Sequence, residues 1–487
     1  MASRVWRYRT TTPVPATVDV EDVAALVARF AAVRAEQHVP EAFPPEVLAE
    51  ADDAAAHVAL PDRDETAVPF CTIDPPGSMD LDQALHIERD GDGHRVRYAI
   101  ADVPAVVRPG GAIDVEARRR GTTVYCPDER APLHPPRLSE DAASLLPGQV
   151  RSAFVWDLRL DATGEVTAHD LYRARVRSTD RLDYAQVQHD VDAGTADERL
   201  VLLKQVGERR IALERARGGA SLPLPEQQVD QRDDGGYTVT FRPPVPAEDW
   251  NAQLSLMTGM VAARIMLDGR VGLLRTMPAP DGAALARFRR QAAALGADWP
   301  TDLPYGELLR RLDLADPRHL ALVHEATSLF RGAGYTPFDG ELPTQQEHAA
   351  VAAPYAHVTA PLRRLVDRFG LVVCAALAAG EEVPAWVREA LPELPGIMRG
   401  ADQRASAVER ACTDAVEAAV MGPRVGQTFP ASVVDRKEGR VVVQLSDPAI
   451  LGDAADPAGR ADLGDRVTVR CTGADVTTGK VALEVTS

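Results

Sequence analysis

Three aspartates, Asp74, Asp80 and Asp82, fall within a run of nine residues that is rich in turn formers. Asp80 and Asp82 are two residues apart, so on an extended chain their side chains face the same side. A Pro-Pro-Gly turn follows Asp74 and can fold it back towards the other two. Converging carboxylates repel each other unless they are protonated, solvated or bound to a cation. Hard oxygen ligands at this density suit Mg²⁺ or Mn²⁺.

The chemistry that follows from such a cluster is metal-assisted hydrolysis of a phosphodiester. Two ions roughly 3.5–4 Å apart can clamp the attacking and leaving oxygens, and a metal-bound water becomes a nucleophile near neutral pH. Asp and Gly beside prolines are also ordinary turn residues, so the run taken alone admits a purely structural role.

A second run, from Tyr355 to Asp367, carries Thr359, Arg363 and Asp367 at intervals of four. A helix that begins at Pro361 would bring these three side chains to one side. Arginine suits a phosphate site because its planar guanidinium binds two oxygens at once and keeps its charge. A pair of arginines on a helix is by itself more typical of a solvated face, and it is the family resemblance given below that assigns Arg363 to the scissile phosphate.

Strands are predicted in the first part of the large central region and helices in its second part, which favours an α+β fold with a mixed or antiparallel sheet. Hydrophobic alternation and turn signals define the strands, and helical periodicity defines the helices. The strands are Gln83–Arg89, His94–Val103, Phe154–Leu160 and Tyr237–Phe241. The helices are Asn251–Asp268, Gly282–Leu295, Pro317–Arg331, Pro361–Ala379 and Met398–Met421.

The chain divides into three parts by composition. Residues 1–64 form a helical lead-in, residues 65–425 form the catalytic domain, and residues 426–487 form a small β-barrel of the OB-fold type. Four short β-like runs separated by Gly and Asp predict the barrel.

Several further runs occur in the order of one known catalytic domain. They are Thr72-Ile73-Asp74, Asp80-Leu81-Asp82, Ile100-Ala101-Asp102-Val103, Arg120-Gly121-Thr122-Thr123-Val124-Tyr125-Cys126-Pro127-Asp128, Leu138-Ser139, Ser144-Leu145-Leu146-Pro147-Gly148 and Arg181-Leu182-Asp183-Tyr184. Together with residues 355–367 they resemble the domain shared by ribonuclease II, ribonuclease R and the catalytic exosome nuclease. The resemblance extends over residues 65–425, most of the chain.

The resemblance implies a 3′→5′ exoribonuclease that hydrolyses single-stranded RNA to 5′-mononucleotides with Mg²⁺, or with Mn²⁺. Asp74, Asp80 and Asp82 match the metal-site aspartates of the family, and Asp82 matches the one that is indispensable for cleavage. Gln83 stands where the family has a fourth aspartate, so it is expected to offer a metal only a neutral carbonyl oxygen.

Six more positions are implied as RNA contacts: Tyr184, Tyr125, His357, Thr359, Arg364 and Glu409. Tyr184 would stack on the 3′-terminal base, and Tyr125 would help to sense ribose. Each has a plainer alternative: a core tyrosine for Tyr184, a structural histidine for His357, a surface acid for Glu409. Arg364 is the arginine that we expect to support a neighbouring strand or acid.

Departures from the family pattern leave a second reading open. Besides Gln83, the family serine is replaced by Ala360, and a Glu-Glu pair is replaced by Ala252-Gln253. The alternative is a weakened or inactive RNA-binding protein on the same fold. A nucleotidyltransferase, faintly suggested by Gly77-Ser78 before the aspartates, fits neither the spacing nor the later runs.

Composition limits the partners. The net charge of −18 argues against coating of duplex DNA, because such proteins are usually basic. The five cysteines show no Cys-x-x-Cys spacing, which favours reduced thiols over a disulfide framework or a zinc site. No stretch predicts a leader or a membrane span. We expect a cytoplasmic monomer.

Overall fold

The computed structural model describes residues 20–224, 226–231, 236–242 and 244–486. The N-terminal residues from which the lack of a leader was predicted lie outside these ranges. The described helices are α1 Val20–Glu36, α2 Pro45–Ala56, α3 Ala112–Arg120, α4 Tyr184–Ala193, α5 Glu198–Arg217, α6 Pro246–Asp268, α7 Gly282–Ala294, α8 Tyr305–Arg311, α9 Pro317–Ala326, α10 Leu365–Ala378, α11 Ala385–Ala390 and α12 Leu394–Met421.

The described strands fall into two closed barrels and four two-stranded ribbons. They are β1 Phe70–Ile73, β2 Gln83–Asp90, β3 Gly93–Ala101, β4 Val124–Tyr125, β5 Arg130–Ala131, β6 Val150–Leu160, β7 Val166–Leu182, β8 Glu226–Gln231, β9 Tyr237–Arg242, β10 Val271–Thr276, β11 Gly334–Asp339, β12 Glu347–His348, β13 Ala353–Pro354, β14 Thr428–Lys437, β15 Arg440–Ser446, β16 Ala449–Ala455, β17 Arg466–Asp475 and β18 Lys480–Val485.

The first barrel has the strand order β1-β2-β3-β6-β7 and positions the aspartate run. All neighbours pair antiparallel except β1 and β7, whose parallel pairing closes the barrel. The hairpin between β2 and β3 turns at Gly91-Asp92, as the sequence predicts. The mixed, mainly antiparallel sheet and the helices that follow confirm the α+β prediction.

The two faces of these strands belong to different hydrophobic cores, because successive side chains of a strand point to opposite faces. On β6, Phe154, Trp156 and Leu158 pack into a large core shared with α5, α6 and α10. Ala153 and Val155 between them pack into a second core with α2 and the loop after β3. Burial on both faces fixes the ends of these strands. The aspartate run begins directly after one of them, the C-terminal end of β1.

The C-terminal barrel has the order β14-β15-β16-β18-β17, so it has five strands where the sequence predicted four. The missed strand, β16, has three alanines and a glycine among its seven residues, and its hydrophobic alternation is weak. It is held by regular pairing with β15. None of the described helices is long and apolar enough to cross a membrane.

One predicted helix boundary is wrong in a way that matters for the site. Helix α10 begins at Leu365, four residues after Pro361. Residues 361–363 form a turn, and Arg364 is extended and pairs with another segment. The Thr123 N–H donates to the Arg363 carbonyl (3.0 Å) and the Leu365 N–H donates to the Gly121 carbonyl (3.0 Å). These long-range bonds override the local preference for helix.

Candidate active site

The aspartate run is the loop that joins β1 to β2, and a single serine anchors its far end. The Ser144 hydroxyl donates to the Met79 carbonyl (2.6 Å) and accepts from the Leu81 N–H (3.0 Å). The next N–H, that of Leu145, donates to the Leu81 carbonyl (3.1 Å). At the other end, the Asp74 N–H donates to the Leu182 carbonyl (3.1 Å) and so extends the pairing of β1 with β7. The loop is therefore fixed at both ends.

Its three carboxylates have different partners. Asp82 is buried, accepts a hydrogen bond from the Leu362 N–H (2.8 Å) and lies 3.5 Å from Nε of Arg363. Asp80 accepts from the Arg130 guanidinium at 2.8 Å. One oxygen of Asp74 is buried without a hydrogen-bond partner.

Burial shapes the acidity of the two inner aspartates. It raises the pKa of Asp82 to about 8, against the opposing pull of the Arg363 charge and the Leu362 N–H. Burial, reinforced by the negative charge of Asp80, raises the pKa of Asp74 to about 7. For both carboxyls, burial thus outweighs the nearby positive charge of Arg363.

Gln83 is turned towards the protein interior. Its amide N–H donates to the Thr359 carbonyl (2.6 Å), and its carbonyl oxygen accepts from the Tyr98 hydroxyl (2.9 Å). The same hydroxyl lies 2.9 Å from the Ser255 hydroxyl. Gln83, the first residue of β2, therefore links this strand to Thr359 in the segment before α10 and, through the Tyr98 hydroxyl, to Ser255 of α6.

The two arginines of the second run differ in their surroundings. The Arg364 guanidinium binds the Asp367 carboxylate through two hydrogen bonds of 2.9 and 2.8 Å. Asp367 also accepts from the Ala360 N–H (2.7 Å), which fixes the turn that precedes α10. The Arg363 side chain is 42% exposed and reaches the Asp82 carboxylate. Arg363 is the arginine that remains available for a ligand.

His357 and Thr359 lie on the inner side of this segment. Nδ1 of His357 is 2.8 Å from the Tyr335 hydroxyl, and the ring makes edge contacts with Tyr335 and Tyr355. Burial and the charge of Arg364 hold the pKa of His357 well below its usual value, so the ring is neutral. Thr359 is buried and offers its carbonyl to Gln83.

A cavity of 590 Å³ brings Tyr125, Tyr184 and Glu409 together, three of the residues that the sequence implied as RNA contacts. Its wall also includes Pro75 and Pro76 of the aspartate loop. Tyr125 is 52% exposed, and the charges of Asp80 and Asp82 act on its hydroxyl. The Tyr184 hydroxyl accepts a hydrogen bond from the Asn251 amide (3.1 Å), and the charge of Asp74 acts on it. The two rings thus lie beside the aspartates.

The donor set suits a hard cation, although the aspartates do not converge. In the described part of the chain, no group of three or more His, Cys, Asp or Glu side chains is close enough together to hold a metal ion. Carboxylate oxygens are nevertheless the ligands that hard cations prefer. A bound cation would pair with the unpartnered Asp74 oxygen and lower the raised pKa values of Asp74 and Asp82. The four-ligand metal site, with Gln83 as a member, stays a prediction.

Several residues of this region were missed from sequence. Ser144 begins the run Ser144-Leu145-Leu146-Pro147-Gly148, but only the fold reveals that it anchors the aspartate loop. Arg130 joins Asp80 to Glu140 through contacts of 2.8 Å each, and Tyr98 holds Gln83. These pairings join distant parts of the chain, so no local pattern signals them.

Comparison with known proteins assigns the chain to a family. The family model described as RNB domain matches residues 62–377, more than half of the chain. The chain belongs to the RNB-domain family. The model described as RNase II-type exonuclease C-terminal S1 domain matches residues 427–486, which contain the second barrel.

Three curated relatives each match more than half of this chain. Ribonuclease R of Escherichia coli is 29% identical over 329 residues, which cover 62% of this chain and 38% of that protein. The exosome complex exonuclease RRP44 homolog A of Arabidopsis thaliana is 29% identical over 61% of this chain and 33% of its own length. Ribonuclease R of Aquifex aeolicus is 26% identical over 92% of this chain and 69% of its own length. The chain spans little more than a third of the first two proteins.

Solved structures share the fold. Mycoplasma genitalium RNase R in complex with ribose-methylated single-stranded RNA superposes with a TM-score of 0.85 over 95% of this chain and 78% of that one, at 18% identity. Yeast Ssd1, a pseudonuclease, superposes with a TM-score of 0.65 over 81% of this chain and 50% of its own, also at 18% identity. The chain therefore has the fold of RNase II/R-type exoribonucleases, a fold that also occurs in a pseudonuclease.

Proposed function

We propose that this protein is a metal-dependent 3′→5′ exoribonuclease that hydrolyses single-stranded RNA to 5′-mononucleotides. The observation that carries the proposal is the juxtaposition of the aspartate loop, the available Arg363 guanidinium and a cavity with two tyrosines in its wall. Curated relatives named ribonuclease R support the same activity.

The cavity supplies the binding step. Tyr125 and Tyr184 offer aromatic faces beside the aspartates, and base stacking accepts any base because every base has a π-face. The other wall residues include Asp183, Glu248 and Glu409. A cavity with so many carboxylates binds phosphates poorly unless cations accompany them, so we expect RNA to enter as a cation-bound strand end.

Arg363 supplies the positive charge at the reacting phosphate. Its guanidinium is tethered through the backbone to Thr123 and through its own Nε to Asp82. A planar guanidinium held in this way can bind two non-bridging phosphate oxygens and stabilise the charge that builds on them. Arg364 has the positioning role, because its donors are occupied by Asp367.

Asp74, Asp80 and Asp82 would hold the metal. RNB-family nucleases generally use Mg²⁺, and when bound it would supply a hydroxide nucleophile and charge neutralisation. The chain itself holds Asp82 towards Leu362 and Arg363, so the carboxylate and the guanidinium keep a fixed separation. The roles of His357 and Thr359 as direct RNA contacts are less well supported, since both lie on the inner side of their segment.

The experiment is a time course on an unstructured RNA labelled at its 5′ end, with Mg²⁺ and then with Mn²⁺. A ladder of progressively shorter labelled products supports 3′→5′ hydrolysis. The same RNA labelled at its 3′ end should release labelled mononucleotide at once. Internal fragments from the outset would contradict exonucleolytic action, and extension in the presence of ATP would favour nucleotidyl transfer.

A second candidate function rests on Gln83. The residue carries no charge, and both ends of its amide are already bonded within the protein. A metal site that lacks this carboxylate is weaker, which favours a protein that binds RNA and cleaves it slowly or not at all. Retained RNA binding by folded protein without shortening in either metal would support this candidate. Gln83→Asp would then be expected to create cleavage.

A further inference from the structure

Two cysteines from distant parts of the chain meet in the wall of the tyrosine-lined cavity. Cys126 follows Tyr125 at the end of β4, and Cys412 lies on α12. Both line the cavity, and both belong to the core in which α12 packs against β4. The two thiols are close enough that each shifts the pKa of the other. The other three cysteines are buried in different cores.

The two thiols have unlike surroundings. Cys412 is 1% exposed, whereas Cys126 is only partly buried and faces the cavity. The Cys412 thiol and the Arg34 guanidinium of α1 together lower the pKa of the Cys126 thiol. The neighbouring Cys126 thiol and burial raise the pKa of Cys412. A reactive cysteine beside a cation, paired with a second thiol, is the arrangement found in oxidisable dithiols.

We propose that Cys126 and Cys412 form an oxidisable dithiol that hydrogen peroxide converts to a disulfide, and that this bond lowers the affinity of the cavity for RNA. The Cys126 thiolate attacks one oxygen of the peroxide and breaks the O–O bond. The leaving hydroxide takes a proton and becomes water. The Cys412 sulfur then attacks the sulfenic sulfur and displaces its hydroxyl group, which leaves as a second water with the Cys412 proton. The peroxide gains two electrons, and the two sulfurs lose them.

The disulfide would alter the cavity because other residues of the cavity wall lie close to each of the two cysteines. A disulfide of about 2.05 Å is far shorter than any contact between unbonded sulfurs, so closure draws the turn after β4 towards α12. Tyr125 precedes Cys126 directly, and Glu409 lies one helical turn before Cys412. Arg34, which binds Asp128 (2.8 Å) and Glu129 (2.9 Å), ties the same turn to α1. Closure therefore moves the exposed tyrosine relative to the opposite wall.

The consequence for RNA rests on the proposed function, whereas bond formation does not. The full-length protein is treated with hydrogen peroxide, and its thiols are counted before and after. We expect two of the five thiols to disappear, with the loss of two hydrogen atoms in mass and a cross-linked peptide that joins Cys126 to Cys412. Cys374→Ala is the matched control and should lose the same pair, whereas Cys412→Ser should form no disulfide.

Binding of a fluorescent single-stranded RNA is measured in Mg²⁺ with the Asp82→Asn protein, which is expected not to cleave it, before oxidation, after it and after reduction with dithiothreitol. We expect roughly tenfold weaker binding after oxidation, the scale of one lost stacking contact, and full recovery on reduction. Five intact thiols, a disulfide between other cysteines, or unchanged RNA affinity in the cross-linked protein would overturn the proposal. If the reduced protein binds no RNA, the proposed function fails, and the peptide map still decides whether the dithiol exists.

Discussion

Glu417 of α12 is a buried carboxyl whose titration should be visible in the stability of the protein. Its side chain accepts hydrogen bonds from the Gln227 amide and from the Leu451 N–H (3.1 Å), so it joins α12 to β8 and to the C-terminal barrel. It is 5% exposed. Burial raises its pKa from 4.5 to about 7.

The sign of the effect follows from the two pKa values. Below pH 4.5 the carboxyl is protonated in the folded and the unfolded chain, and its ionisation costs nothing. Between pH 4.5 and about 7 the unfolded chain loses the proton first, so the free energy of unfolding falls as the pH rises. Above that range the loss is complete, at about 3 kcal/mol, because each pH interval of one is worth about 1.4 kcal/mol.

Glu417→Gln should remove this dependence while keeping both hydrogen bonds. Urea unfolding of the two proteins at pH 5, 6, 7 and 8, in EDTA, gives the difference in their free energies of unfolding. We expect this difference to move by about 3 kcal/mol in favour of the variant between pH 5 and pH 8. Other groups that titrate in this range are common to both proteins and cancel.

Glu438→Gln, at an exposed position of the C-terminal barrel, measures the effect of removing one surface carboxylate. A difference between wild type and Glu417→Gln that stays constant with pH would refute the reasoning. It would mean that the carboxyl is hydrated and that the contact between α12 and the barrel is not as described.

Three other substitutions test packing and binding. Asp114→Ala removes the carboxylate that lies 2.5 Å from the buried Arg368 guanidinium. The substitution should lower the free energy of unfolding by about 3–5 kcal/mol, and an unchanged urea midpoint would contradict this. Gly259→Ala places a Cβ 2.2 Å from a ring carbon of Tyr355 and should destabilise by about 1–3 kcal/mol in thermal melts, whereas an unaltered melting temperature would show that the ring moves freely. Tyr184→Ala, measured in Mg²⁺ in the non-cleaving Asp82→Asn protein, should weaken RNA binding by roughly 5- to 150-fold, the range of one stacked base, and equal affinity would exclude stacking there.

Local sequence predicts much of this fold because the relevant signals are local. The turn at Gly91-Asp92 and the helix that ends at Asp268 follow directly from turn residues and helical periodicity. The late start of α10 does not, because residues 361–363 form a turn and pairing with Gly121 and Thr123 keeps Arg364 extended. Strand β16 was missed because its small residues alternate weakly, and its neighbours in the barrel stabilise it.

The candidate site, like the fold, could be predicted from the sequence only in part. The types and spacing of the aspartates indicated a metal site, and the family resemblance added Arg363 and the two tyrosines. The fold places these residues around one cavity and one loop. Orientation could not be predicted from spacing. Whether Gln83 faces a ligand or the interior depends on Tyr98, fifteen residues away, and on a carbonyl 276 residues away.

The central claim is that this chain cleaves RNA although Gln83 replaces a carboxylate, and the direct test is the rate of mononucleotide release from an unstructured RNA by wild type and by Asp82→Asn in Mg²⁺. Purity is checked by carrying both proteins through the same preparation, and folding is checked by their melting curves. We predict release by the wild type and none by Asp82→Asn. Equal release by both would show that the activity belongs to a contaminant, and no release by folded wild type in either metal would contradict the account.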